Sequence, residues 1–341
     1  MHVFFDRRQL HHDPQFYLVR GRVTQCAERP ERAEFLLASA EGAGHRLVVP
    51  GDFGPSPRAA IHTPEYLDFL ATAYEHWQAL GDSGPEVLAN IHPNRHGLGR
   101  SDHIVARAGW HMADLSCAMG PETFASACVS ANTAVAAAQA VLDGEPAAYA
   151  LCRPPGHHAF ADMAGGFCFL NNTAIAAQWL RQAAPRVAIL DVDVHHGNGT
   201  QGIFYARGDV LTVSVHADPQ VQYPWFWGHA QERGSGPGEG CNLNLPQPAG
   251  AGDAEVLAAI ETARPLIEAF APGYLVVALG LDAFAGDPLG LLSVSTDGFR
   301  RIGQAIAQFG LPTVIVQEGG YLCAELGDNL VATLAGVDEA A

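Results

Sequence analysis

The chain holds 341 residues, 48 % hydrophobic and 16 % charged, with 36 acidic against 19 basic side chains and a formal net charge of −17. That balance disfavours nucleic-acid binding through a general basic surface, and the length supplies a large core without disulfides or structural metals. The seven cysteines include no C-x-x-C pair, so neither a disulfide framework nor a thiolate metal site is expected, and reduced thiols in a cytoplasmic protein are the simpler account.

In chain order, Met1 to Leu10 lacks the apolar core of a signal peptide. Residues 30–40 place Ala33, Leu36, Leu37 and Ala40 on one helical face. Residues 78–107 carry Gly81, Gly84, Pro85, Pro93, Gly97 and Gly99 with little periodicity, the mark of a long loop. An Ala-rich helix is expected over 126–142, stopped by Gly144. A candidate strand at 148–152 precedes a helix at 172–182, and apolar strands follow at 187–190 and 210–215. The glycines at 234, 236, 238 and 240 do not open a helix after a strand, so they make no phosphate loop. A helix at 253–270, a strand at 274–279, a helix at 297–309 and a strand at 313–316 complete the pattern. The run from Tyr274 to Leu281 is the longest apolar stretch and is too short to span a membrane. Alternating strands and helices predict one α/β domain over 1–341, a mostly parallel central sheet flanked by helices with a loop insertion around 78–107.

Polar residues cluster just after these strands, where open α/β sheets build ligand sites. Arg153-Pro154-Pro155-Gly156-His157-His158 follows one strand, and Asp191-Val192-Asp193-Val194-His195-His196 closes another. His216, Asp282 and Glu318-Gly319-Gly320-Tyr321 follow three more. Residues two apart at a strand end point the same way, so Asp193 and His195 can reach one metal ion, with Asp282 as a third ligand. Three protein ligands and an open position describe a catalytic zinc site. Alone, D-x-H would read as a solvated acidic turn, and the other strand ends argue against that. In the His157-His158 pair, one imidazole can serve as general base and its neighbour can supply charge or orientation. Asp191 and Asn198 are available to fix ring tautomers, although Asp191 also suits a monovalent cation. Two glycines before Tyr321 let its phenol approach a bound carbonyl as an oxyanion donor, against the commoner role of a half-buried core tyrosine. The aromatic group Tyr223, Trp225, Phe226 and Trp227 suits a pocket mouth, a subunit contact or a packed loop equally.

Arg153–His158, Gly165–Asn172, Asp191–Thr200, Val213–His216, Gly280–Pro288 and Glu318–Tyr321 resemble the histone deacetylase superfamily in order and spacing. The segments between them look most like bacterial acetylpolyamine amidohydrolases. The resemblance implies the arginase–deacetylase fold, one Zn2+ per chain on Asp193, His195 and Asp282, His158 as general base and acid, His157 as electrostatic partner backed by Asp191, and Tyr321 as oxyanion donor. It also implies that the Gly166 carbonyl accepts the substrate amide N–H, with Phe167 and Tyr223 flanking the acetylated chain. A structural K+ would use Asp191, Asp193, His195, Ser214 and Val215. A second monovalent cation would use carbonyls of Phe204, Arg207 and Val210. The expected substrate is a small acetylated amine (a polyamine or diamine), the expected assembly a homodimer, and acidic residues are expected in and after the 78–107 loop, where Asp82, Glu86, Asp102 and Asp114 are available.

Three competing readings share parts of this pattern. A peptide acetyl-lysine deacetylase would differ only in access to the site. A two-manganese ureohydrolase would need more acidic ligands than the strand ends offer. A non-catalytic module that captures acetylated ligands would have no need of Tyr321 or of every metal ligand.

Overall fold

The computed structural model describes residues 1–97 and 99–340. Among the described residues ten strands are formed: β1 (His2–Phe4), β2 (Phe16–Val19), β3 (Arg22–Gln25), β4 (Arg46–Val48), β5 (Ala147–Ala150), β6 (Val187–Asp191), β7 (Val210–Ala217), β8 (Asn242–Gln247), β9 (Tyr274–Leu279) and β10 (Thr313–Gln317). Eight of them make one sheet in the order β4-β1-β5-β10-β9-β6-β7-β8, and β2 and β3 pair as a separate hairpin. Every pairing in the large sheet is parallel. The expected single α/β domain is therefore present, with helices on both faces.

Alternation along each strand produces two cores. Val187 and Ile189 of β6 join Val276, Val314 and Val316 beneath the helix Thr123–Leu142 on one face. Ala188 and Leu190 join Leu275, Val277 and Ile315 against the helices Pro30–Gly42, Asp253–Phe270, Thr296–Ala307 and Leu326–Ala340 on the other. Strands buried on both faces read as apolar runs. Helix Thr123–Leu142 is long and apolar enough to cross a membrane, yet 72 % of it is buried inside the fold, and it serves as a core helix here.

Three sheet strands lay outside the sequence expectations. β1 and β4 span three residues each, too short for a periodic signal. In β8, Asn242 and Asn244 turn inward and Pro246 sits at the sheet edge, where its missing N–H is tolerated. The expected loop is irregular from 79 to 103 among its described residues, and Leu98 lies outside the description. Its last four residues instead begin the helix Ile104–His111. His103 caps that helix, accepting from Val105 N at 3.3 Å, and Ile104 and Ala108 are buried beneath it.

Arg207 and Arg181 clamp Asp209 just before β7, with Arg207 Nη2 and Arg181 Nε both 2.8 Å from Oδ2. The Arg207 hydrogen bonds, opposed by partial burial and reinforced by Arg181, hold the Asp209 carboxyl well below the usual range. A depressed folded pKa stabilises above the unfolded value and is lost as pH falls through it. Asp209→Asn is expected to destabilise the protein by about 1 kcal/mol near pH 7, since solvent screens a partly exposed pair. The difference should begin to shrink as pH falls below the unfolded value of about 4 and keep shrinking towards the acid end, as read by urea unfolding at about pH 7 and about pH 3. An unchanged difference at the acid end would refute this account.

Candidate active site

The carboxyl ends of β5, β6, β9 and β10 converge on one crevice. Beyond β6, backbone N–H groups turn back onto side chains: Asp193 N donates to Asp191 Oδ1 at 3.0 Å and His195 N to Asp193 Oδ1 at 2.8 Å. Asp282, three residues past β9, accepts from Val194 N at 3.1 Å, so the two ligand-bearing loops hold each other. Gly319 N, past β10, donates to Asp193 Oδ2 at 2.7 Å. A Cβ on Gly319 would lie 2.0 Å from Asp282 Oδ2, so only glycine fits. The expected fifth contributor lies elsewhere. His216 lies within β7, its Nδ1 2.8 Å from Ser214 Oγ and its Nε2 2.9 Å from the Gly228 carbonyl, because the strand continues two residues beyond Val215.

The ligand atoms of Asp193, His195 and Asp282 lie within 4.8 Å of one another, with both aspartates buried and the His195 side chain only 12 % exposed. His195 Nδ1 is 3.2 Å from both Asp193 Oδ1 and Asp282 Oδ2. Asp282 Oδ2 is buried without an aligned hydrogen-bond donor, a costly state for a carboxylate oxygen unless a cation meets it. Burial lowers the His195 pKa, yet Asp193 and Asp282 draw it up to about 10. Two buried carboxylates thus demand positive charge at this point. Nitrogen and oxygen donors in this number fit zinc. On the far side of the ring, His195 Nε2 faces the Gln222 side-chain amide, 3.3 Å from its nitrogen.

The paired histidines are set apart by their surroundings. His157 Nδ1 lies 3.0 Å from Asp191 Oδ2 and His157 Nε2 3.9 Å from Asp193 Oδ1. Burial opposes its charge, but Asp193 and then Asp191 raise its pKa to about 10, so it stands as an imidazolium. His158 Nδ1 meets Asn198 Oδ1 at 2.6 Å. Burial, with His157 and His195 beside it, pushes its pKa well below 6.5. The Asn198 oxygen favours Nδ1–H, leaving the Nε2 lone pair free. Their loop is tied down by Glu318, whose Oε2 accepts from Gly156 N at 2.6 Å and His157 N at 3.0 Å, while Oε1 accepts from Thr173 Oγ1 at 2.7 Å.

These groups open into a cavity of about 600 Å³, with His158, His195, Gly166, Phe167, Tyr223 and Tyr321 in its wall. The Phe167 ring lies 5.9 Å from the Tyr321 ring, and Tyr223 stands edge-on to His158 at 4.8 Å. Burial and then Asp282 raise the Tyr321 pKa well above 10, which keeps its hydroxyl a donor. Tyr321 N donates to Asp287 Oδ2 at 2.7 Å, and Arg32 reaches the carbonyls of Glu318 and Gly320. Gly166 has φ +54, and a Cβ there would lie 2.3 Å from His158 Cδ2.

Of the acids available around the loop, only Asp114 lines this cavity. Glu86 accepts from Gln15 N at 2.7 Å, and Asp102 lines a separate cavity of about 340 Å³ under residues 91–111. Ser214 stands beside Asp191 in the sheet register, and the Phe204 carbonyl accepts from Arg207 N at 2.8 Å just before Val210 opens β7. Of the aromatic group, Tyr223 and Trp225 line the cavity, Trp227 lies 5.3 Å from Phe160, and Phe226 is exposed. Arg32 and Gln222 were absent from the sequence expectations, and Asp287 and Glu318 stood there only within longer motifs, with no role of their own. Each acts on the site through a partner distant in the chain.

Residues 24–337 match the histone deacetylase domain family. The chain is 48 % identical over 330 residues to the acetylpolyamine amidohydrolase of Burkholderia pseudomallei, covering 96 % of each. It is 39 % identical over 340 residues to that of Mycoplana ramosa, covering 99 % of each. The crystal structure of acetylpolyamine aminohydrolase from Burkholderia pseudomallei superposes with a TM-score of 0.95 at 48 % identity, over 98 % of both chains. The HDA15 HD domain superposes at 0.81 with 28 % identity, over 99 % of this chain and 93 % of that one.

Proposed function

The chain belongs to the histone deacetylase family, a deacetylase of its amidohydrolase branch, and from that premise we propose that it is a zinc enzyme hydrolysing acetylated polyamines or small acetylated diamines to acetate and the free amine. The observation that carries this reading is the meeting of Asp193, His195 and Asp282, with His195 in the wall of the cavity that His158 and Tyr321 also line. The relatives named above act, by their names, on acetylpolyamines.

Asp193, His195 and Asp282 would hold the zinc ion, which when bound would supply a Lewis acid and lower the pKa of water. The remaining chemistry belongs to the chain. Phe167 and Tyr223 flank the acetylated amine, and the Gly166 carbonyl accepts its N–H. His158, neutral and held by Asn198, takes a proton at Nε2 as water attacks the acetyl carbon. Tyr321 donates its hydroxyl to the developing oxyanion. The charge on His157, balanced by Asp191, favours the same anionic state and keeps His158 a base until attack occurs. His158 then returns the proton to the departing nitrogen.

A structural K+ held by Asp191, Asp193, His195, Ser214 and Val215, a second monovalent cation at Phe204, Arg207 and Val210, and a homodimer are part of the same proposal. So is a cytoplasmic setting, with which the free state of all seven cysteines agrees.

Acetate release from N-acetylputrescine, N-acetylcadaverine and N1-acetylspermidine, set against an acetyl-lysine peptide, tests the reading. The small amines should be turned over in preference. Activity should vanish with a chelator and return with added zinc. Release that continues at full rate with the metal stripped, or a peptide preferred over every amine, would sink it.

A further inference from the structure

Apart from its histidines, the cavity wall carries two charged side chains, in opposite conditions. Asp114 lies on the inner wall, and its four acceptor positions are filled. Oδ1 takes Ser116 N at 2.8 Å and Ser116 Oγ at 2.5 Å, and Oδ2 takes Gly166 N at 3.1 Å and Tyr223 Oη at 2.7 Å. It therefore contributes charge rather than a free hydrogen-bond acceptor. Arg20 lines the same cavity and is exposed, and among the described residues no acidic group pairs with it within 4.0 Å. Against a net charge of −17, a bare cation at the entrance of a site for amines calls for a reason.

Arg20 sits where its backbone does not favour it. Val19 pairs with Arg22, so the β2–β3 hairpin closes on Arg20-Gly21 with φ 51 and 75. Such a two-residue turn prefers Asn-Gly, and an arginine there is strained. The hairpin is also fixed in place. Leu18 N donates to the Leu115 carbonyl at 3.2 Å, and the buried Tyr17 ring packs edge-on to Phe167 at 5.3 Å. A rigid turn therefore presents the guanidinium at the rim, one residue away from the strand bonded to the Asp114 loop.

We propose that Arg20 is a specificity-determining residue that favours acetylated diamines over longer acetylated polyamines. The inference rests on the hydrolase reading above. Asp114, beside the Gly166 amide, balances the single ammonium of a short diamine. An extended chain would bring a further ammonium out to the rim, where like charge opposes it at close range.

The test compares kcat/KM for N-acetylputrescine and N1-acetylspermine in the zinc-loaded enzyme and three variants. Arg20→Lys should keep the preference for the diamine. Arg20→Asn, which suits the turn and removes the charge, should shift the ratio towards the tetraamine on the order of tenfold. Arg20→Glu should shift it further. High salt should narrow the differences, as screening requires. Ratios within twofold of one another in all four proteins, or a shift in Arg20→Lys equal to that in Arg20→Asn, would overturn the proposal. If the unsubstituted enzyme releases acetate from neither substrate, the hydrolase reading fails first and takes this inference with it.

Discussion

A Tyr321→Phe protein should keep one zinc per chain and lose about two to three orders of magnitude in kcat, the usual loss when one preorganised oxyanion donor is removed. The substitution deletes a single oxygen. The position of residue 321 is set by the backbone: its N–H is held by Asp287, while Arg32 grips the carbonyls of Glu318 and Gly320. The ring keeps its edge contact with Phe167 at 5.9 Å. KM should therefore change little, because the hydroxyl donates strongly only once charge develops on the carbonyl oxygen. Zinc content is measured beside turnover. Wild-type kcat would remove Tyr321 from the mechanism, and loss of zinc would recast it as a structural residue.

Asp282→Asn should abolish zinc retention and activity together while leaving the metal-free fold intact. The amide oxygen can still accept from Val194 N, now 3.1 Å from Oδ1. What disappears is the charge on Oδ2, which lacks an aligned hydrogen-bond donor although His195 Nδ1 lies 3.2 Å away. Burial and then Asp193 raise the Asp282 pKa. A carboxyl raised in the fold stabilises below its unfolded value and loses that contribution as pH climbs through the folded one. Near neutrality its ionised form therefore strains the metal-free protein. The metal-free Tm of Asp282→Asn should equal or exceed that of the unsubstituted protein. Excess zinc, which stabilises a fold it binds, should raise the Tm of the unsubstituted protein by several degrees, about the effect of 2 to 3 kcal/mol of linkage, and leave the variant unmoved. A variant that melts higher with zinc, or that melts much lower without it, would refute the account.

The central strands were legible because a strand covered on both faces must be apolar throughout, and β6, β7, β9 and β10 are. The polar residues closing them gave the site, since few folds place so many titratable groups at strand ends without use for them. β1 and β4 escaped because three residues carry no period, and β8 because its inward asparagines read as a loop. The helix Pro64–Gln78 did have a signal in Thr63-Pro64-Glu65, since Thr63 Oγ1 accepts from Tyr66 N at 3.3 Å and proline opens the first turn. Arg32 had none. It reaches a carbonyl 288 positions away, and only the folded chain brings them together. His216 misled because a polar residue after an apolar run resembles a strand end even when the strand continues.

Glu318 bonds the paired-histidine loop at Gly156 N and His157 N, and the next residue, Gly319, bonds Asp193. Base, metal ligand and phenol are thus braced on one frame, whereas Arg20 sits on a separate two-stranded ribbon. The ribbon meets that frame through Tyr17 on Phe167, while the proposed selectivity residue stands at its turn, beyond that packed strand. A protein engineer should be able to graft new hairpin tips onto this enzyme and redirect it among amines, leaving the bond-breaking apparatus as it stands.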